Sequence, residues 1–220
     1  MKKLVGFFLL ILCINRTGKA QEIQWTKDGL SYLTLEDNNI VKVCRLYTSD
    51  AADDNNIVKV DPKLDAHTIL VKKEQLIPAG KKDPLIPASY VLSADNQKML
   101  LFVNTARVWR YNTRGDYWIL DLAKNKLSQV GKSRPSQSLQ FAKFSPDGKN
   151  VAYVSEHNIF SEDVQSGIAK KLTSDGTRKL INGTFDWVYE EEFGCRDGFR
   201  WSPDSKHIAF WQVDATKIRD

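Results

Sequence analysis

Ser145-Pro146-Asp147-Gly148-Lys149 is the clearest of three copies of one turn in this 220-residue chain. Proline fixes φ, the aspartate carboxylate can bond its own backbone, and glycine accepts a positive φ, a combination typical of hairpin turns. The other copies are residues 93–98 and 202–206. Each copy follows one strand-like run and precedes another, and the runs that follow are Met99–Val103, Val151–Val154 and Ile208–Trp211.

A second hairpin pattern follows the first two of these turns. Tyr117–Leu122 leads across a short polar turn to Lys126–Val130. Asn158–Val164 leads in the same way to Ile168–Leu172. Each unit therefore contains two hairpins, which is the content of a four-stranded propeller blade.

The spacing of the units predicts the fold class. The turns at residues 93, 145 and 202 are 52 and 57 residues apart, slightly longer than one blade. Residues 25–29, followed by Leu30–Leu35, form a weaker fourth copy. Several such units in series predict an all-β chain that forms a partial β-propeller. A β-sandwich with regular strand spacing is the alternative.

Residues 1–20 have the features of a secretory signal peptide. Lysines at residues 2–3 precede the apolar run Leu4–Ile14, which is too short to span a membrane, and small residues surround a cleavage site after Ala20. We expect export to the periplasm or the exterior, with no membrane span after cleavage. Lipid attachment at Cys13 is the alternative.

Removing this segment changes the charge of the chain. The formal net charge falls from +5 to +1, because residues 1–20 hold four cationic residues and no acidic one. No basic stripe with interleaved aromatic residues remains, so we expect no nucleic-acid partner. The remaining cysteines, Cys44 and Cys195, predict no disulfide framework.

An identical heptapeptide occurs twice near the N-terminus. Asp37–Val43 recurs unchanged as Asp54–Val60, whereas structural repeats diverge outside their structural positions. The intervening residues 44–53 resemble the translation of a sequencing-library adapter. We hypothesise that residues 44–60 are an artefactual insertion with a duplicated flank, and that Val43 naturally precedes Asp61.

The acidic segment Asp186–Phe193 places three consecutive glutamates among large apolar residues. Asp186 can cap a short helical turn. Successive helical side chains point about 100° apart, so at least one carboxylate must face the protein or a cavity and needs a cation. The alternative is a surface turn whose charges pair with Arg196 and Arg200.

Two segments are longer than a blade requires. Residues 104–116 hold three arginines and two aromatic residues, and residues 181–197 hold the acidic segment. Long loops on a rigid scaffold often carry function. We expect the two to meet, with Arg110 as the partner of Glu191 or Glu192, and we expect the other arginines, Arg107 and Arg114, to be solvated.

Several kinds of chemistry are missing from the sequence. It contains no Gly-x-Ser-x-Gly motif, no glycine-rich phosphate loop and no metal-ligand spacing. Its histidines, His67, His157 and His207, accompany no nucleophile motif. We therefore expect no catalytic residue, no metal and no cofactor in this chain.

The acidic segment Asp186–Phe193 resembles the double-glutamate motif of the dipeptidyl peptidase IV family of secreted serine exopeptidases. Residues 108–111 and 117–122 resemble the arginine-bearing propeller segment of that family. Residues 196–204 are similar to its bacterial-type branch. The similarity extends from about residue 22 to residue 220, interrupted by the suspected insertion.

The resemblance implies an enzyme with an eight-bladed N-terminal propeller and a C-terminal α/β-hydrolase domain that carries the catalytic Ser, Asp and His. It implies release of N-terminal dipeptides with Pro or Ala second. Glu191 and Glu192 would bind the α-ammonium group of the substrate. Arg110 would support them and contact the carbonyl of the substrate's second residue, while Glu190 would make structural contacts.

The resulting expectation is a signal peptide at residues 1–20 and the N-terminal part of a propeller at 21–220, without the hydrolase domain and inactive alone. The expected partners are peptides with a free N-terminus, the hydrolase domain and, in the full-length enzyme, a second copy as a homodimer. The alternatives are a non-enzymatic envelope propeller that binds peptides or proteins, and a carbohydrate-processing propeller.

Overall fold

The computed structural model describes residues 66–218 continuously and, before them, β1 (Gln24–Trp25), β2 (Tyr32–Glu36), β3 (Asn39–Val41) and β4 (Ile57–Asp61). From residue 66 onward the elements are β5 (Ala66–Val71), a 3-10 helix (Lys73–Leu76), β6 (Ser89–Leu92), β7 (Lys98–Val108), β8 (Tyr111–Asp121), β9 (Lys126–Val130), β10 (Leu139–Phe144), β11 (Asn150–Ser155), β12 (Asn158–Asp163), β13 (Ala169–Lys171), β14 (Leu180–Asn182), α1 (Trp187–Phe193), β15 (Phe199–Trp201), β16 (Ile208–Phe210) and β17 (Gln212–Asp214). The predicted all-β class, with a short helix at the acidic segment, is confirmed.

The strands form antiparallel units in chain order. β6 to β9 make one four-stranded meander, and β10 to β13 make the next. The two meanders join where Leu139 and Gln140 of β10 pair with Gly115 and Arg114 of β8, beyond the part of β8 that pairs with β9. Further along, β14 pairs with β17 and β15 pairs with β16. The two-hairpin unit predicted from the sequence is therefore present.

The repeated turn is built around its serine. Ser145 Oγ donates to Asp147 Oδ1 at 2.6 Å and accepts from the Asn150 amide at 3.0 Å, while the Lys149 amide donates to Asp147 Oδ1 at 3.1 Å. Gly148 takes a φ of +68°, as the turn requires. The bond from Ser145 lowers the pKa of Asp147. The same bonds recur in the copies that start at Ser93 and Ser202.

Successive residues of one strand pack into different cores. Met99 and Leu101 of β7 lie in a core with Val71 of the preceding unit. Leu100, between them, lies in a core with Tyr153 of the following unit. Because side chains alternate along a strand, this arrangement buries both faces of the sheet between its neighbours. Face-to-face stacking of consecutive meanders is the packing of propeller blades.

The third core continues the pattern along the chain. Ala152 and Val154 of β11 face away from Tyr153 and pack with Ile159 and Phe199. Phe199 belongs to β15, the strand that follows the acidic segment. The acidic segment is thus carried by a unit that stacks directly on the β10–β13 meander.

The two copies of the duplicated heptapeptide occupy different strands. The first supplies β3, which pairs with β2, and the second supplies β4, which pairs with β5. A single strand has two edges and can pair with β2 and β5 together. We therefore propose that one copy is sufficient, in agreement with the hypothesis that 44–60 is an insertion. Residues 44–56 themselves lie outside the described residues.

The predicted signal peptide at residues 1–20 also lies outside the described residues and stays a prediction. So does the turn at residues 26–29 of the weaker fourth copy, although β1 and β2 on either side of it do pair antiparallel. Within the part of the chain that the structure describes, no helix has the length and apolar character needed to cross a membrane.

Deleting residues 44–60 removes most of β4, and we expect the first copy of the heptapeptide to pair with β5 in its place. The unfolding free energy should then stay within about 1 kcal/mol of the parent chain, because a change in the length of a connection alters its closure entropy only slowly. The midpoint and slope of urea unfolding measure this. Deleting residues 37–60 is the control, since it removes both copies of the strand and should destabilise by about 3 kcal/mol or more. Equal losses in the two deletions would contradict the proposal.

Candidate functional site

Helix α1 carries the acidic segment and has a defined start and end. Asp186, in an extended conformation, accepts a hydrogen bond from the Tyr189 amide at 3.0 Å and caps the first turn. Gly194 takes a φ of +66°, and its amide donates to the Glu190 carbonyl at 3.1 Å. A left-handed residue at this place is the usual end of a helix. The helical turn predicted to start at Asp186 is confirmed.

The three glutamates of the helix point into different environments. Glu190 is 6% exposed, the Glu191 side chain is 13% exposed, and Glu192 is exposed. This follows from the angle of about 100° between successive helical side chains. The expectation that at least one carboxylate faces the protein is confirmed by Glu190.

Residues 104–116, expected to be a loop, are instead the outer part of the β7–β8 hairpin, which we call the ribbon. The strands continue to a two-residue turn, Trp109-Arg110, with Val108 opposite Tyr111. Trp109 takes a φ of +52°. The loop prediction was wrong because the β-branched and aromatic residues of this segment favour paired strands despite the arginines between them.

The base of the ribbon is fixed by a group of hydrogen bonds. Asn104 Nδ2 donates to Asp116 Oδ2 at 2.7 Å, and the Gln137 amide donates to Asp116 Oδ1 at 2.7 Å. Ser136 Oγ also donates to Asp116, at 3.1 Å. At Gly115 an added Cβ would lie 2.6 Å from Phe102 Cε2, so only glycine allows this close approach.

The tip of the ribbon reaches the acidic helix. Arg110 Nε lies 2.7 Å from Glu191 Oε1 and 2.6 Å from Glu191 Oε2. The predicted ion pair is therefore present, and Glu191 is the partner. The carboxylate raises the pKa of Arg110. The two terminal guanidinium nitrogens of Arg110 bond no described residue and remain available as donors.

The other two arginines of the ribbon do not reach the helix. Arg107 Nε donates to the Trp109 carbonyl at 3.0 Å, and both Arg107 and Arg114 are exposed. Arg114 forms no ion pair with any residue the structure describes. Both observations agree with the expectation that these two side chains are solvated.

A second contact joins the helix and the ribbon. Arg196 Nε lies 3.5 Å from Glu190 Oε1, and the Arg196 guanidinium carbon lies 3.7 Å from the centre of the Tyr111 ring. Burial raises the pKa of Glu190, and the charge of Arg196 opposes that shift. The sequence alternative of surface charges paired with Arg196 and Arg200 is therefore only partly right. Arg196 pairs with the buried glutamate, whereas Arg200 pairs with Asp197 at 2.9 Å.

The segment after the helix is anchored to the neighbouring blade by Lys143, which sequence reasoning missed. Lys143 Nζ contacts Asp197 Oδ1 at 2.5 Å and the Phe199 carbonyl at 3.0 Å. The ammonium also lies 3.9 Å from the centre of the Phe199 ring. Burial lowers the pKa of Lys143. No sequence motif marks this contact, because 54 residues separate its partners.

The arrangement leaves one carboxylate without a cation. Glu191 is paired with Arg110 and Glu190 with Arg196, while the exposed Glu192 pairs with no described residue. Glu191 and Glu192 supply carboxylates and Arg110 supplies free donors, which are the groups that a compact cation with an adjacent carbonyl oxygen requires. In the described part of the chain, no group of three or more His, Cys, Asp or Glu residues is placed to hold a metal ion.

Comparison with known proteins gives concordant results. Residues 93–220, more than half of the chain, match the family model described as the dipeptidyl peptidase IV (DPP IV) N-terminal region. Dipeptidyl aminopeptidase B of Saccharomyces cerevisiae is 29% identical over 205 residues, which cover 91% of this chain and 23% of the relative. The crystal structure of Porphyromonas gingivalis dipeptidyl peptidase 4 superposes with a TM-score of 0.68 at 25% identity, covering 89% of this chain and 25% of that one. The chain thus spans about a quarter of the length of these relatives.

The burial of Glu190 should make stability depend on pH. The pKa of Glu190 in the folded state is raised above the ordinary value of 4.5. Its protonation therefore adds to the free energy of unfolding below pH 4.5, and this stabilisation is lost as the pH rises through the folded-state pKa. The Glu190→Gln variant has no carboxyl group at this position, so its stability lacks this dependence on pH. The unfolding free energy of the variant minus that of the parent should therefore rise as the pH increases above 4.5.

Urea unfolding at a series of pH values measures that difference. Val188→Ala changes an exposed residue of the same helix that does not titrate, and it is the control, with a difference that should not vary with pH. A constant or falling difference for Glu190→Gln would show that Glu190 is not the group described.

Proposed function

Because the chain belongs to the dipeptidyl peptidase IV family, we propose that it is the substrate-selecting propeller portion of a dipeptidyl aminopeptidase. The parent enzyme releases dipeptides from free N-termini, with Pro or Ala as the second residue. The observation that carries the proposal is the pairing of Arg110 with Glu191, which leaves the exposed Glu192, the next residue of the helix, as an unneutralised carboxylate.

The α-ammonium group of a peptide fits this charge pattern. It is a compact cation with three donors, and Glu191 and Glu192 offer it two neighbouring carboxylates. The free guanidinium nitrogens of Arg110 can donate to a peptide carbonyl while Nε stays on Glu191. The substrate would then be held by its terminal charge and by one carbonyl, which fixes both its direction and its position.

Holding the N-terminus at a fixed place also explains the release of dipeptides. A rigid amine site measures the distance to the reacting group, so that only the bond after the second residue is correctly placed. We place the serine-type chemistry in the α/β-hydrolase domain of the parent enzyme, because this sequence has no Gly-x-Ser-x-Gly motif. The chain by itself is then a binding unit without peptidase activity.

The proposed location follows from the N-terminal sequence. Residues 1–20 combine a basic start, an apolar run and small residues before Ala20, which is typical of exported proteins. Peptides with free N-termini are then met in the periplasm or outside the cell.

The chain should bind the dipeptide Ala-Pro and discriminate against its N-acetylated form, because acetylation removes the positive charge. Glu191→Gln and Glu192→Gln should each weaken binding about ten-fold, or ~1.4 kcal/mol. Titration of the purified chain, followed by NMR, measures the dissociation constants.

Arg114→Met is the matched control, since it removes an exposed ribbon arginine that contacts neither glutamate, and its affinity should equal that of the parent chain. Equal affinity for Ala-Pro and N-acetyl-Ala-Pro would overturn the proposed amine site. So would full affinity in both glutamine variants.

A further inference from the structure

We infer that Glu190, Arg196 and Tyr111 are positioning residues, which form a second link between the acidic helix and the ribbon and hold Arg110 and Glu191 in place. This inference rests on the proposed function of the site. It assigns roles to three side chains outside the pair of glutamates and the arginine of the proposed amine site.

The two links use neighbouring residues on both elements. Arg110 and Tyr111 are adjacent at the tip of the ribbon, and Glu190 and Glu191 are adjacent on helix α1. Arg110 contacts Glu191 directly, whereas Tyr111 contacts Glu190 through Arg196. Adjacent side chains diverge on a helix, so the two links leave helix α1 in different directions. Two divergent links fix a relative orientation that one ion pair leaves free to rotate.

The two links also differ in their exposure to water. The Arg110 side chain is 69% exposed, so solvent screens its pair with Glu191, and such pairs are weak by themselves. Glu190 is 6% exposed and the Arg196 side chain is 30% exposed. The second link is therefore the less screened of the two, and it is the one suited to hold the ribbon against the helix.

Stacking on Tyr111 sets the position of Arg196. Glu190 Oε1 and Arg196 Nε are buried at 3.5 Å from each other, but neither atom makes a hydrogen bond within the described part of the chain. Charge attraction alone does not orient a flat guanidinium group. The face of the Tyr111 ring, at 3.7 Å, supplies that orientation. The Tyr111 hydroxyl bonds no described residue, so the ring is the part that matters.

Two variants test whether the stack positions Arg110 and Glu191. Tyr111→Leu removes the aromatic ring, and Arg196→Met removes the guanidinium group. Both variants should bind Ala-Pro about ten-fold more weakly than the parent chain, because Arg110 and Glu191 lose their fixed arrangement. Tyr111→Phe keeps the ring and should bind within two-fold of the parent. Arg114→Met is the matched arginine control and should also bind within two-fold.

A spectroscopic signal separates positioning from a general loss of structure. The Nε–H resonance of Arg110 reports its hydrogen bond to Glu191 in the free protein. It should shift and exchange faster with water in Tyr111→Leu and Arg196→Met, and should be unchanged in Tyr111→Phe. Each spectrum is recorded without denaturant, after a cooperative urea transition has shown that the variant is folded. If Tyr111→Leu fails to fold, Arg196→Lys decides, because it keeps the charge but loses the flat group and should still weaken binding.

The outcomes distinguish this inference from the proposed function. If Tyr111→Leu and Arg196→Met keep the affinity of the parent while Glu191→Gln loses it, the inference is wrong and the proposed function stands. If the parent chain does not prefer Ala-Pro over its N-acetylated form, the proposed function fails, and this inference fails with it.

Discussion

The ion pair between Arg110 and Glu191 joins residues 81 positions apart, and the proposed function depends on it. It adds little to stability, because Arg110 is largely exposed. The pair is instead a consequence of the fold. Stacked blades bring the ribbon of one unit beside the acidic helix of a later unit, and the hydrogen bonds of Asp116 at the base of the ribbon fix its direction. The fold therefore places Arg110 next to Glu191, and the ion pair is a result of that placement.

The charges of the site divide into pairs with one carboxylate left over. Glu190 is neutralised by Arg196 and Glu191 by Arg110, whereas Glu192 faces solvent. A site with one such carboxylate attracts a single positive charge without the cost of burying an unpaired ion. Under the proposed function that charge is the α-ammonium group of a peptide. The same pairing explains why three consecutive glutamates can occur among aromatic residues.

The features that sequence could predict are those with a local cause. The turn at residues 145–149 and the cap at Asp186 depend on side chains bonding the nearby backbone, so both were visible in the sequence. The contact of Arg110 with a glutamate followed from the composition of two long segments. The Arg196–Tyr111 stack and the Lys143–Asp197 ion pair were missed because they depend on which blades become neighbours. The ribbon was misread as a loop, since strand pairing at residues 104–116 outweighs a composition that is also common in loops.

The most direct test of the amine site is the pKa of the α-amino group in bound Ala-Pro, measured by NMR with an isotope-labelled peptide. A free α-amino group has a pKa of about 7.7–8.0. Two neighbouring carboxylates favour its charged form, and the bound value should be higher by about one unit or more. An unchanged or lowered pKa in the complex would contradict the claim that Glu191 and Glu192 bind the substrate N-terminus.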